Sequence, residues 1–325
     1  MKCTNRILSC ILCLTAILLT GCGNKDTLLN EYNTYSYNNS YTNTDEISLN
    51  ADFYAKDLCV TNEINFGTEG TYSEVAKGAG VFNVSTGEVL YNQNIFEQLY
   101  PASTTKILTA YVILKDCTLT DIVTISESAV EQATDSQTCG FKAGDNVMVK
   151  DLLYGLMIHS GNDAAEALAE HHSGSVEEFA KVMTEEAHKL GATNSQFKNP
   201  SGLPDKEHYT SVYDMYLIFN EAIKNETFVE IISAKSHRAI YTNVSGATVE
   251  KTFNSHSRYH LGTVETPYGF EIIGGKTGTT FDAGYCLVLY SKNAAGQDII
   301  SIVFKADGPH NLYLLMNQIL SKFAN

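Results

Sequence analysis

From Gly78 onward, apolar and polar positions follow two different periods along the chain. "GAGVFNVSTGEVLYN" sets apolar residues against polar ones and breaks at Ser85-Thr86-Gly87, which predicts a pair of strands joined by a tight turn. "YPASTTKILTAYVI", Tyr100 to Ile113, reads as the opening of a buried helix. In "SVEEFAKVMTEEAHKLG", Ser175 and Glu178 form a capping box and Gly191 is placed to end the helix. Thr210 or Ser211 can cap "VYDMYLIFNEAI". Strands return with "GYCLVLYS" and "DIISIVFKA" on either side of "KNAAGQ". A last helix carries Leu312, Leu315, Met316, Ile319, Leu320 and Phe323 at helical spacing. Strands at both ends with helices between them predict an α+β domain over 78–325, its terminal strands joined in one largely antiparallel sheet.

The pattern before Gly78 is different. Lys2 and Arg6 precede an apolar run, Ile7 to Leu18, that is too short to span a bilayer comfortably. "LLTGC", Leu18 to Cys22, resembles the lipobox of bacterial lipoproteins. That resemblance implies a signal peptide over 1–21, cleavage before Cys22 and an N-terminal lipid on Cys22, so the expected location is outside the cytoplasm, anchored to the cell membrane and facing the wall. An ordinary signal peptide with an incidental cysteine is the alternative. "NEYNTYSYNNSYTNTDE" is nearly free of aliphatic residues and cannot bury enough surface to offset the entropy of ordering. Residues 22–77 are therefore expected to form a tether, on the order of 40 Å end to end as a relaxed coil. No later segment is long and apolar enough for a transmembrane helix.

Composition narrows the partners. Twenty-two basic against 37 acidic residues give a net charge of −15, which argues against nucleic acid. Of eight cysteines, Cys59, Cys117, Cys139 and Cys286 fall after the expected lipid site, and three full pairings are open to them. Cys286, inside "GYCLVLY", reads as a small buried hydrophobe. No cysteine spacing fits a zinc ribbon. His256 and His260 have no glutamate placed between them as in H-E-x-x-H, so neither a metal nor a cofactor is expected.

The chemistry starts with Lys106, an ammonium group on an otherwise apolar helix. Ser103 lies three residues before it, on the same helix face. A serine alcohol is a poor nucleophile until a base takes its proton, and lysine is such a base only when desolvation or a nearby cation lowers its pKa. S-x-x-K recurs at Ser195 and Lys198, in a loop read as exposed and polar. Ser160-Gly161-Asn162 falls where one helical segment stops and another begins, and Lys276-Thr277-Gly278-Thr279 on a predicted strand. Only Ser103, Ser160 and Lys276 give the order S-x-x-K, S-x-N, K-T-G with a helical block between the last two.

That order resembles the penicilloyl serine transferases, the group of penicillin-binding proteins and serine β-lactamases. "PASTTKILTA", "DLLYGLMIHSGNDAA", "FKNPSGLPDKEHYTSVYDM" and "GGKTGTTFDAGYCLV" together look like the serine D-alanyl-D-alanine carboxypeptidases. The resemblance implies an antiparallel sheet of about five strands flanked by helices, with an inserted helical subdomain. It implies peptidoglycan stem peptides as substrate and β-lactam antibiotics as acylating agents. Ser103 would be the acyl-forming nucleophile, Lys106 its general base and Ser160 a proton relay to the leaving amine. Asn162 would hold the lysine and bind the substrate amide, and Lys276, Thr277 and Thr279 would bind the terminal carboxylate. Gly278 would leave room for substrate, and the N–H groups of Ser103 and Thr279 would stabilise the oxyanion. A serine β-lactamase is the nearest alternative, but Gly191 to Asp205 contains no glutamate to activate a deacylating water. A non-catalytic wall-binding or β-lactam-sensing lipoprotein is another, which release of D-alanine would exclude. Relatives with a second β-rich domain and an amphipathic anchor continue further, and neither is expected here.

Overall fold

The computed structural model describes residues 57–324. The expected signal peptide, Cys22 and most of the expected tether lie outside the described residues. β1 (Gly78–Asn83) and β2 (Glu88–Gln93) form the expected hairpin, with Gly87 at φ +73° in its turn. Near the other end, β7 (Glu271–Thr280), β8 (Gly284–Lys292) and β9 (Asp298–Ala306) follow one another as antiparallel neighbours. β1 pairs with β9 from Gly78↔Phe304 to Asn83↔Ile299, which closes a five-stranded antiparallel sheet in the order β2-β1-β9-β8-β7.

β8 and β9 are apolar without alternation because both of their faces are covered. On one face the last helix, α8 (Pro309–Phe323), buries Leu315, Met316, Ile319 and Leu320 against Leu287, Leu289 and Val303. On the other lie helices of the middle block: α1 (Lys106–Asp116), α2 (Glu127–Val130), α3 (Val149–Met157), α4 (Asn162–Ser173), α5 (Val176–Lys189), α6 (Val212–Ala222) and α7 (Glu226–Ser233). Ser175 caps α5 through Glu178 N–H, and Gly191, at φ +87°, follows its end. Ser211, not Thr210, caps α6 by accepting from Asp214 N–H. Both carry out the stop and start signals written locally in the chain.

Two expectations need correction. The sheet is not alone: β3 (Ile122–Thr124), β4 (Asn146–Met148), β5 (Ser236–Thr242) and β6 (Thr248–Asn254) make a second, four-stranded antiparallel sheet. β3 and β4 are three residues each, too short to show a period. β5 and β6 bury alternate residues, as expected of strands with one covered face. The second correction concerns the domain edge at Gly78, because residues 57–77 pack on the domain. Cys59 is fully buried, its N–H donates to the Tyr216 hydroxyl at 2.8 Å, and its carbonyl accepts from Tyr213 at 2.9 Å. Phe66 bridges to Asn92 beside β2, and Tyr72 N–H donates to Gln318 on α8. The polar composition of this segment hid a few well-spaced anchors.

Cys59, Cys117, Cys139 and Cys286 are all free thiols, so none of the three pairings is adopted. Among the described residues no helix is long and apolar enough to cross a membrane.

Leu315 is wholly buried between α8 and the sheet. Leu315→Ala should lower the unfolding free energy in urea by about 2–5 kcal/mol. A loss below about 1 kcal/mol would mean that α8 does not cover this face.

Candidate active site

Ser103 sits in a 3-10 turn, Ala102–Thr105, that runs directly into α1. Pro101 precedes the turn, where its missing N–H matters little. Ala102 takes φ +48°, an uncommon backbone conformation for a residue with a Cβ. Ser160 takes φ +65° in the link between α3 and α4. Two of the four non-glycine residues with positive φ among those described therefore adjoin or form the candidate serines. Such strain persists only where surrounding structure over-determines it.

Lys106 answers the question its position raises: it does not reach the surface. Its side chain is fully buried, and its Nζ lies 3.2 Å from Ser103 Oγ. Nζ also donates to Asn162 Oδ1 at 2.7 Å and to the Ser201 carbonyl at 2.7 Å. Burial, and then the charge of Lys276, push the Lys106 amine well below the usual lysine range. A neutral amine has two N–H groups and one lone pair. The carbonyl oxygens of Asn162 and Ser201 claim both hydrogens, which leaves the lone pair for the Ser103 hydroxyl proton. The contact at 3.2 Å is therefore an O–H donating to a nitrogen once the amine is neutral.

Lys276 is also buried, and its Nζ donates to Ser160 Oγ at 2.9 Å and to the Thr277 carbonyl at 2.8 Å. Burial pushes its amine down to about 7. The strand that carries it, β7, is an edge of the five-stranded sheet. A Cβ added at Gly278 would stand 2.8 Å from Ser103 N and 2.9 Å from the Pro101 carbonyl. Gly278 thus lets β7 run against the backbone of Ser103, rather than only leaving space for a ligand. Thr277 is half-buried and Thr279, the next residue after Gly278, is exposed.

The structure brings Ser103, Lys106, Ser160, Asn162, Lys276 and Gly278 into one connected cluster. It does not make a second one at Ser195 and Lys198. Ser195 is buried, not exposed as the sequence suggested, and donates to Asp214 at 2.6 Å. Lys198 pairs with Glu207 at 3.1 Å instead. His256 stacks obliquely on His159, with ring centroids 5.1 Å apart, and His260 meets the Ile273 carbonyl. Among the described residues no group of three or more His, Cys, Asp or Glu is placed to hold a metal.

Several members of the site lie in the family-like stretch "FKNPSGLPDKEHYTSVYDM", but the three motifs assign them no role. Ser201 contributes only a carbonyl, which any residue has. Gly202, at φ +85°, lies so close to Ala102 that a Cβ would fall 1.8 Å from its carbonyl oxygen. His208 accepts Lys198 N–H on Nδ1 at 3.2 Å and so donates from Nε2 to Thr105 Oγ1 at 2.8 Å. Burial pushes its imidazole down to about 4, which keeps that tautomer neutral. His208 therefore pins the loop that presents Ser201 to the turn that presents Ser103.

Comparison with known proteins agrees with this geometry. A family model described as D-alanyl-D-alanine carboxypeptidase (Peptidase_S11) matches residues 68–308. The chain is 35% identical over 244 residues to D-alanyl-D-alanine carboxypeptidase DacF of Bacillus subtilis, covering 72% of this chain and 58% of that protein. It is 34% identical over 235 residues to DacC of Escherichia coli, covering 70% and 55%. It thus spans little more than half the length of these curated relatives. The crystal structure of the Streptomyces K15 DD-transpeptidase superposes with a TM-score of 0.70 at 29% identity, covering 76% of this chain and 95% of that one. The fold is that of the penicillin-binding proteins and β-lactamases.

Lys276 yields a pH test. Its amine titrates at about 7 when folded and near 10.5 as a free side chain. Between those values the unfolded chain binds more protons, so this group makes stability rise with pH. Urea unfolding at pH 7 and pH 9 should show a larger gain for the wild type than for Lys276→Met. Equal gains would mean that Lys276 is hydrated and fully charged in the folded protein.

Proposed function

We propose that this chain, which belongs to the D-alanyl-D-alanine carboxypeptidase family, is a serine D,D-carboxypeptidase acting on the stem pentapeptides of peptidoglycan. The observation that carries this reading is the buried Lys106 amine, with both hydrogens engaged by carbonyls and Ser103 Oγ at its remaining position. Ser103 Oγ attacks the carbonyl carbon of the penultimate D-alanine while its proton passes to Lys106 Nζ. The N–H groups of Ser103 and Thr279 take the oxyanion, each donor worth roughly 3 kcal/mol of barrier. Ser160 gives its proton to the departing D-alanine amine and is reprotonated from Lys276, 2.9 Å away. The proton that Lys106 took then passes to Lys276, which restores both amines. Water attacks the acyl-serine ester as the neutral Lys106 takes its proton. That proton goes to Ser103 Oγ as the ester C–O bond breaks and the shortened peptide leaves.

The substrate's extended C-terminal end suits the edge position of β7, because a peptide can pair with a strand whose outer side has no partner. The terminal carboxylate is held by Lys276 with Thr277 and Thr279. Its charge draws a proton onto Lys276, whose amine is poised near neutrality when the site is empty. Penicillins acylate Ser103 by the same first step. Transfer of the acyl group to an amine instead of water is a second reading, favoured by the likeness to a protein named DD-transpeptidase. The segment "LLTGC" supports export and a lipid on Cys22, which would anchor the enzyme to the membrane on its wall-facing side.

Labelled penicillin followed by mass spectrometry should place the adduct on Ser103, and the chain should release D-alanine from diacetyl-Lys-D-Ala-D-Ala. Ser103→Ala should lower that release by about 1,000-fold or more. An adduct elsewhere, or rapid turnover of nitrocefin in place of a long-lived acyl-enzyme, would remove the carboxypeptidase reading.

A further inference from the structure

Lys106 presents its lone pair to Ser103 only if Asn162 faces it with oxygen. If the Asn162 amide were turned over, an N–H would point at the amine and compete for that lone pair. Nothing in the three motifs decides between the two orientations, so the deciding contact has to lie on the far side of Asn162.

That contact is Ser136, whose Oγ receives Asn162 Nδ2 at 2.5 Å. A hydroxyl can donate or accept, so Ser136 alone fixes nothing. Its own hydrogen, however, is directed to Gln132 Oε1 at 3.4 Å, which leaves oxygen lone pairs toward Asn162. Gln132 is oriented in turn by its Nε2, which donates to the Ala129 carbonyl on α2 at 3.2 Å. Of the two amides, Gln132 has one end tied to an unambiguous acceptor, the Ala129 carbonyl, and its orientation passes through the Ser136 hydroxyl to Asn162. We infer that Gln132 and Ser136 form an orientation relay that sets the Asn162 amide and so keeps the Lys106 lone pair free for Ser103.

The relay is held at both ends of α4. At its start, the Gln137 carbonyl accepts Asn162 N–H at 2.8 Å, and the Asp163 carboxylate accepts the N–H groups of Cys139, Gly140 and Phe141. In its last turn, Glu170 accepts from Ser126 and Ser128 at 2.5 and 2.6 Å, which fixes α2 and with it Ala129. The loop around Ser136 is therefore fastened to the helix whose first residue it orients. Ser136 is a positioning residue for the reaction: it touches neither Ser103 nor Lys106 and acts through Asn162.

The inference rests on the carboxypeptidase reading, and stopped-flow acylation of the full chain by a fluorescent penicillin separates the two. With Ser136→Ala the acylation rate constant should fall by about 10-fold or more, as befits a weakened general base, while affinity before acylation changes by less than about 2-fold. Ser136→Thr keeps the accepting hydroxyl and should restore the rate. Gln132→Met should slow acylation in the same direction but less. A Ser136→Ala rate equal to wild type, or a Thr variant as slow as the Ala variant, would overturn the relay while leaving the reading intact. A wild-type chain that takes no adduct would overturn both, because Lys106 would then have no base role to protect.

Discussion

Everything in the site depends on one lysine amine kept out of water without a counter-ion. A charged ammonium in that position would be expensive, and the protein avoids the expense by favouring the neutral form. Neutrality leaves the buried nitrogen with a free lone pair. The two carbonyl acceptors around Lys106 satisfy its hydrogens, so the remaining polarity of the nitrogen is a lone pair with one neighbour, Ser103. The second buried cation, Lys276, reinforces this by its charge and is itself lowered by burial. The two lysines thus differ in proton state under the proposed mechanism. One is driven far down and accepts, while the other is poised near neutrality beside the Ser160 hydroxyl.

The fold serves that amine by bringing three distant segments to one point. The turn before α1 supplies Ser103, the link between α3 and α4 supplies Ser160 and Asn162, and the edge of the five-stranded sheet supplies Lys276. Close approach is built in by glycines: at Gly278 the strand meets the Ser103 backbone, and at Gly202 the loop carrying Ser201 meets Ala102. Positive φ at Ala102 and Ser160 shows where the chain bends against its preferences to complete the arrangement. The helices on one face and α8 on the other clamp the sheet, so these approaches are held by packing on both sides.

Much of this is legible in the chain alone. The caps at Ser175 and Ser211, the turn at Ser85-Thr86-Gly87, the unbroken apolar runs of β8 and β9 and the stripe on α8 are short-range signals, each complete within a few residues. The motif order Ser103, Ser160, Lys276 picked out residues that the fold brings together for the same reason: identity and spacing are properties of the string. The second sheet was not legible because β3 and β4 are shorter than the period that would reveal them. The segment over 57–77 was misread because its anchors, such as Cys59 and Phe66, are single residues whose partners lie elsewhere.

By itself, then, the sequence determined which side chains are candidates for the chemistry, which elements hold them, and that Lys106 sits on an apolar helix. Tertiary structure alone decided what that lysine touches. Its partners Asn162 and Ser201 are 56 and 95 positions away, and Lys276 meets Ser160 across 116. Donor–acceptor pairing over such separations is set by packing, and a backbone carbonyl such as that of Ser201 leaves no mark in the side-chain alphabet. The proton state of the amine follows from those contacts and from its burial, which only the folded chain creates.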